Sequence, residues 1–383
     1  MKRFIRKETA PPTVALLFGG MGSEHAVSVA SAENMITLID RRRFRPLPVL
    51  ITESGRWMIG KSADPSPEKM DAVAQKSEEN GGNCAKKRNT GSPNGENPIL
   101  SEVLPTAERG GGLKTDLGFI RVDLAIPLIH GDFGEDGTLA GLLRGFGIPF
   151  VGSDVTSAAV AGDKILTKMI AERLGITTAK WCVGHGAAGK DAARAQAEAE
   201  IGYPMFIKPS RLGSSIGVSR VSSAEEFTTA YDAAVALDER VLIEKCLSVT
   251  CEIECGLADL DGKKELTKIG EIRTRGGFYD FECKYSSDSR AEIIFPSALD
   301  AEHGDAVRCA ARRLVDAIGL SGISRIDFLL TTDGELYFNE INAIPGFTKA
   351  SLYPRMLTSI GLTPRAFISR LLSENIKKHD RRL

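Results

Sequence analysis

No apolar run in this 383-residue chain approaches the ~20 residues that a membrane-spanning helix requires. Excess charge of either sign is missing too. With 49 Lys and Arg against 50 Asp and Glu, neither nucleic acid nor an anionic membrane is favoured as a partner. The seven cysteines contain no C-x-x-C pair, and Cys246, Cys251 and Cys255 have no nearby His or fourth Cys to complete a zinc pattern. Reduced, mostly buried thiols in a cytoplasmic protein are the expectation. The basic stretch Met1 to Pro12 lacks the apolar core of a signal peptide and reads as a solvated tail, as does Lys377 to Arg382. Two common nucleotide signatures are absent. The segment Gly19-Gly20-Met21-Gly22 lacks the third glycine of a dinucleotide fingerprint, and no Gly-Lys-Ser/Thr follows the glycines after Lys208.

What is present reads as alternating strands and helices. Thr13 to Phe18 is a short apolar run ending at Gly19-Gly20, followed by a helical pattern from about Ala26, which makes a βα unit. Leu47 to Ile51 and Asp123 to Ile129 look like further buried strands. Between them, residues 62–115 turn rich in Gly, Ser, Asn, Pro, Glu and Lys and read as a flexible surface insertion with a short helix at Glu68 to Gln75. Further on, helices are expected at Asp163 to Leu174, after the capping box Ser223 to Glu226, from Asp300, and from Thr363-Pro364.

The most specific local pattern is a hairpin. Ser324 to Leu330 and Leu336 to Asn342 flank Asp333-Gly334, the signature of a two-residue turn. That turn pairs Thr332 with Glu335, hence Asp327 with Glu340 and Arg325 with Asn342, all four side chains on one face. Opposed carboxylates repel unless something positive lies between them. A hard divalent cation such as Mg²⁺ fits, and magnesium held by one or two carboxylates usually also holds substrate phosphates. The alternative is a solvated strand face with chance acidic residues. Other segments stay open at this level. Glu24, near a helix N-terminus, would repel a phosphate there and suits a substrate ammonium, or is a simple acidic cap. The loop Lys208 to Gly217 covers phosphates or is an ordinary Ser/Gly turn. His130 binds a substrate carboxylate or caps a helix, and Gly277 to Tyr285 is a lid or a peripheral strand.

Together, in order, these segments resemble the D-alanine–D-alanine ligases of the ATP-grasp superfamily. The residues that carry the resemblance are Gly19-Gly20 with Glu24-His25, His130-Gly131 with Gly134 to Gly137, Lys208-Pro209 with Gly213 to Gly217, Lys284-Tyr285, Arg325 to Asp327, Asn339 to Asn342, and Pro345 to Thr348 with Ser351. The resemblance implies an α/β and α+β architecture: an ATP-grasp fold behind an N-terminal Rossmann-like pre-ATP-grasp domain. Its divisions would be a tail at 1–12, the N-terminal domain at 13–152, a central ATP-grasp subdomain at 153–247 and a C-terminal one at 248–383. It implies that Asp327, Glu340 and Asn342 bind two Mg²⁺ ions, with Mn²⁺ able to substitute, and that Lys164, Lys208 and Lys284 contact ATP phosphates. Glu244, Lys245 and Leu247 would form the adenine edge and Glu252 would hold the ribose, with Ser214 and Ser215 in the glycine-rich lid. Glu24 would bind the first D-alanine's ammonium, with His130 near its carboxylate, and Glu24, Ser214 and Tyr285 would close the site. Arg325 and the Gly346 N–H would stabilise the oxyanion, and Ser351, followed by Leu352, would hold the acceptor.

The implied reaction joins two D-alanines through a D-alanyl phosphate for peptidoglycan precursors, in a cytoplasmic homodimer. D-Ala–D-Ser and D-Ala–D-lactate ligation are the alternatives, with a non-catalytic ATP-binding module behind them. Relatives using D-lactate carry a His in the lid, and Arg273 to Phe295 has none. Relatives using D-serine tend to carry Arg beside the acceptor serine, where Leu352 stands here.

Overall fold

The computed structural model describes residues 10–60, 66–79, 100–274 and 291–380. They divide into two compact units, 1–155 with 259–265 and 344–383, and 156–258 with 266–343.

The first unit is built on a seven-stranded sheet with the order Gly118–Arg121, Gly112–Thr115, Leu100–Thr106, Trp57–Gly60, Arg45–Ile51, Thr13–Gly19, Leu124–Pro127. Thr13–Gly19 is buried along its whole length and pairs in parallel with both neighbours, as its unbroken apolar run demands. The remaining pairings are antiparallel. Helix His25–Leu38 follows the first strand. Leu100–Thr106 and Gly112–Thr115 correct the expectation of a flexible insertion over 62–115. Leu100, Val103 and Leu113 are buried in the unit, and a composition rich in turn residues hid these short strands. The expected short helix is there, as Pro67–Glu79.

The C-terminal segment also departs from expectation. Residues 344–383 group with the N-terminal unit, not with a C-terminal subdomain. Asn34 Nδ2 donates to Phe347 O at 2.8 Å, Arg43 to Ser373 Oγ at 2.7 Å and Arg365 to Thr37 O at 2.5 Å. Helix Pro364–Asp380 includes Lys377 and Lys378, expected in a tail, as exposed positions of its last turn.

The second unit holds two antiparallel sheets. One has the order Ser219–Val221, Met205–Pro209, Arg240–Lys245, Trp181–His185, backed by helices Lys190–Glu200 and Ala224–Val235. The other runs Ala291–Ile294, Gly270–Thr274, Val249–Leu260, Ile323–Thr331, Leu336–Asn342. Helix Ala301–Ile318 packs Val307, Ala311, Leu314 and Val315 into the core behind it.

The terminal hairpin keeps its expected pairing at one end only. Asp327 opposes Glu340 and Arg325 opposes Asn342. The turn differs: Thr331 N–H donates to Glu335 O, so Thr332, Asp333 and Gly334 form a longer loop, with Gly334 in the left-handed region at φ 85°. Such a turn shifts the register by one residue. A bulge between Asp327 and Phe328 shifts it back, leaving Asn339 unpaired.

Candidate active site

The second unit encloses a cavity of about 580 Å³. Lys164, Lys208, Glu244, Lys245, Leu247, Glu252, Ser215 and Glu340 of the expected site residues border it, with Phe206 and Tyr337. Lys164 opens helix Lys164–Arg173. Asp163 caps that helix, accepting from Ile165 N at 3.0 Å and Leu166 N at 3.1 Å, and is braced by Ser210 Oγ at 2.7 Å and by Arg240. Lys164 Nζ is thereby held 3.2 Å from Glu340 Oε2, and it donates to Leu212 O at 2.6 Å. Ser214 and Ser215 both take left-handed backbone, φ 48° and 61°, a cost tolerated mainly where a loop is shaped for a ligand.

Glu244 is fully buried between Lys208 and Lys168, the latter 2.8 Å from Oε2. Burial alone would raise its carboxyl; the two ammonium groups outweigh that and pull it down to about 2. The carboxylate expected on the adenine edge is therefore committed to lysines, and what Glu244 can offer a base is backbone. Lys168, only 1% exposed, is a site residue that motif reading missed. Its spacing of four from Lys164 along one helix face was the available signal.

On the hairpin, Arg325 donates from Nε to Asp327 Oδ1 at 2.8 Å and from Nη2 to Oδ2 at 2.6 Å, and Asn342 Nδ2 donates to Oδ2 at 2.9 Å. Glu254, opposite Asp327 on the other neighbouring strand, lies 3.3 Å from Arg325 Nε. Burial would lower the guanidinium's affinity for its proton, but Asp327 and Glu254 hold it well above the usual range. Glu254 was also missed, although it shares the strand alternation of Glu252. Among the described residues no group of three or more His, Cys, Asp or Glu could hold a metal ion. Asp327 and Glu340 instead present two opposed carboxylates with the Asn342 amide beside them. That donor set suits magnesium sharing its shell with phosphates rather than an all-protein cage.

Glu24, His130, Gly346, Ser351 and Leu352 lie in the first unit. Glu24 occupies the N-cap of helix His25–Leu38, yet its side chain makes no capping bond. It is buried against Gly131, where a Cβ would fall 2.5 Å from Glu24 Oε2, so the simple acidic cap is excluded. His130 caps no helix either, since Gly137 precedes helix Thr138–Gly145. Its Nδ1 pairs with Ile344 O at 2.9 Å and its Nε2 with Ser31 Oγ at 3.2 Å. Ser31 Oγ accepts from Phe347 N at 3.2 Å. Glu135 bridges Gly131 N at 3.0 Å and Ile344 N at 2.7 Å. These bonds fix the segment carrying Gly346 and Ser351. A Cβ on Gly346 would lie 3.1 Å from Ser351 Oγ, which also accepts from Thr348 N at 3.1 Å. Leu352 is buried. Lys284 and Tyr285 lie outside the described residues.

The family model for the D-Ala–D-Ala ligase N-terminus matches residues 13–153, and that for the C-terminus matches residues 170–373. D-alanine–D-alanine ligase A of Escherichia coli O6:H1 is 34% identical over 96% of this chain and 96% of its own. The D-alanine–D-alanine ligase of Deinococcus radiodurans is 35% identical over 94% and 97%. Among solved structures, the VanG D-Ala:D-Ser ligase of Enterococcus faecalis superposes with a TM-score of 0.80 at 32% identity, covering 96% of this chain and all of that one. The D-alanine–D-alanine ligase of Coxiella burnetii gives 0.79 at 25% identity, covering 97% and 96%. The chain belongs to the D-alanine–D-alanine ligase family, with its mixed α/β, ATP-grasp architecture.

Proposed function

We propose that this protein is the ADP-forming ligase that joins two D-alanines for peptidoglycan precursor synthesis. The observation that carries the reading is the cavity bounded by Lys164, Lys208 and the Glu340 carboxylate, in a chain of this family. A carboxylate is a poor acyl donor. The first D-alanine's carboxylate oxygen bonds to the γ-phosphorus as the bond to ADP breaks, giving an acyl phosphate. The second D-alanine's amine attacks that carbonyl, loses a proton, and phosphate leaves from the tetrahedral intermediate.

Lys164 and Lys208 neutralise the polyphosphate, while Arg325 and the Gly346 N–H take the oxyanion charge. Removing one such donor typically costs ~10²–10³ in rate. Glu24 binds the donor's ammonium and Ser351 the acceptor's carboxylate. His130, with both ring nitrogens engaged, holds the Ile344 to Ser351 segment in place. Asp327, Glu340 and Asn342 would hold Mg²⁺, or Mn²⁺ in its place, which when bound offsets charge on the transferring phosphoryl group. The resemblance further supports a cytoplasmic homodimer whose partners are ATP and D-alanine. Leu352 beside Ser351 favours D-alanine over D-serine as acceptor. ADP release measured with D-alanine, D-serine and D-lactate as acceptors tests this. D-alanine alone should support rapid turnover; no D-alanine-dependent release would sink the proposal.

A further inference from the structure

Asn339 is the unpaired residue of the hairpin bulge. Asp327 faces Glu340 and Phe328 faces Phe338, so no residue stands opposite it. Phe338 and Ile341 both enter the core although they are an odd number of positions apart, which strict alternation forbids without an extra residue. Phe338 is pinned by edge-on packing against Phe328, ring centroids 5.9 Å apart, and by its N–H donating to Thr177 O at 2.8 Å. Four consecutive residues, Tyr337, Phe338, Asn339 and Glu340, border the cavity, with Asn339 the one that no cross-strand residue opposes. Among the described residues no group pairs with the Asn339 side-chain amide.

The register locates that amide along the bound nucleotide. One cross-strand row is Glu252, Leu329, Tyr337; the next on the same face, beyond the core row Ile253, Phe328, Phe338, is Glu254, Asp327, Glu340. The first row carries the ribose ligand and the second the phosphate and metal ligands of the reading above, on which this inference rests. Asn339 lies between the rows. We propose that its amide N–H donates to the α-phosphate, where ribose passes into polyphosphate. The contact reads the nucleotide, not the amino acid.

Isothermal titration of the full chain with ADP and with adenosine, magnesium present, tests the assignment. Wild-type protein that fails to bind ADP would refute the ATP reading itself. Given wild-type binding, Asn339→Ala should weaken ADP about 10-fold, as for a lost hydrogen bond to a charged group, and leave adenosine unchanged. Asn339→Asp keeps the shape and should weaken ADP further, because a carboxylate would meet the phosphate. Both variants should keep the wild-type KM for D-alanine. ADP affinity of Asn339→Asp within twofold of wild type, or equal losses for adenosine and ADP, would overturn the proposal.

Discussion

Arg325 satisfies a charge problem that the amino-acid sequence itself poses. Asp327, Glu340 and Glu254 crowd one face of two adjoining strand pairs, and Arg325 with Lys164 supplies the compensating positive charge. The Asp327–Glu340 opposition was legible because alternation and pairing alone place the two together. Lys168 was not, because a lysine inside a helix ordinarily reaches solvent, and only the fold shows that this one is buried against Glu244. Asp327→Asn should cut turnover by ~10²–10³ or more while the circular dichroism spectrum stays that of the wild type. Near-normal activity would remove Asp327 from the metal and phosphate machinery.

At the scale of elements, the helices were the most legible part. Asp163, Ser223 and Asp300 each cap a helix through the side chain. The hairpin turn was not legible, because Thr332-Asp333-Gly334 serves a longer loop, with glycine in the left-handed position, as well as Asp-Gly serves a two-residue one. The link between helices Pro67–Glu79 and His25–Leu38 was illegible too, since it joins distant positions. His25, next to Glu24, pairs through Nδ1 with Gly20 O at 2.7 Å and through Nε2 with Asp71 Oδ1 at 2.8 Å. Burial lowers its pKa, but Asp71, Gly20 and the more distant Glu53 outweigh that and raise it above 6.5. A raised folded value contributes stability that is complete below the unfolded value and lost as pH rises through the folded one. Asp71→Asn should therefore destabilise by about 1–2 kcal/mol at pH 6 and by much less at pH 9. Urea unfolding at the two pH values checks this, and equal losses would show that His25 is not charged in the folded protein.

For the molecule as a whole, the sequence conveyed the α/β order well and the grouping of segments poorly. Nothing local marks residues 344–383 as packing with the N-terminal unit, because the bonds that do it span hundreds of positions. The cavity lining, by contrast, comes from the second unit alone. Nucleotide should therefore stabilise by mass action, about 2.7 kcal/mol at 100 times Kd. Hydrogen exchange should show the gain over Met205–Pro209 and Arg240–Lys245. Unchanged exchange in both strands at saturating ADP would place the nucleotide elsewhere.

The hairpin's bulge has a hereditary consequence. Removing Asn339 alone would leave Phe328 opposite Phe338 and Asp327 opposite Glu340, so the ladder would close into regular alternation with every cross-strand pair kept. Shortening the Thr332 to Gly334 loop by one residue would likewise leave a two-residue turn between Thr331 and Glu335. Both changes spare the pairing of the ligand face, and only the first discards the Asn339 amide. Length at the tip and length at the bulge can therefore drift independently in descendants of this chain, and one that lost the extra residue would keep the hairpin while losing that amide.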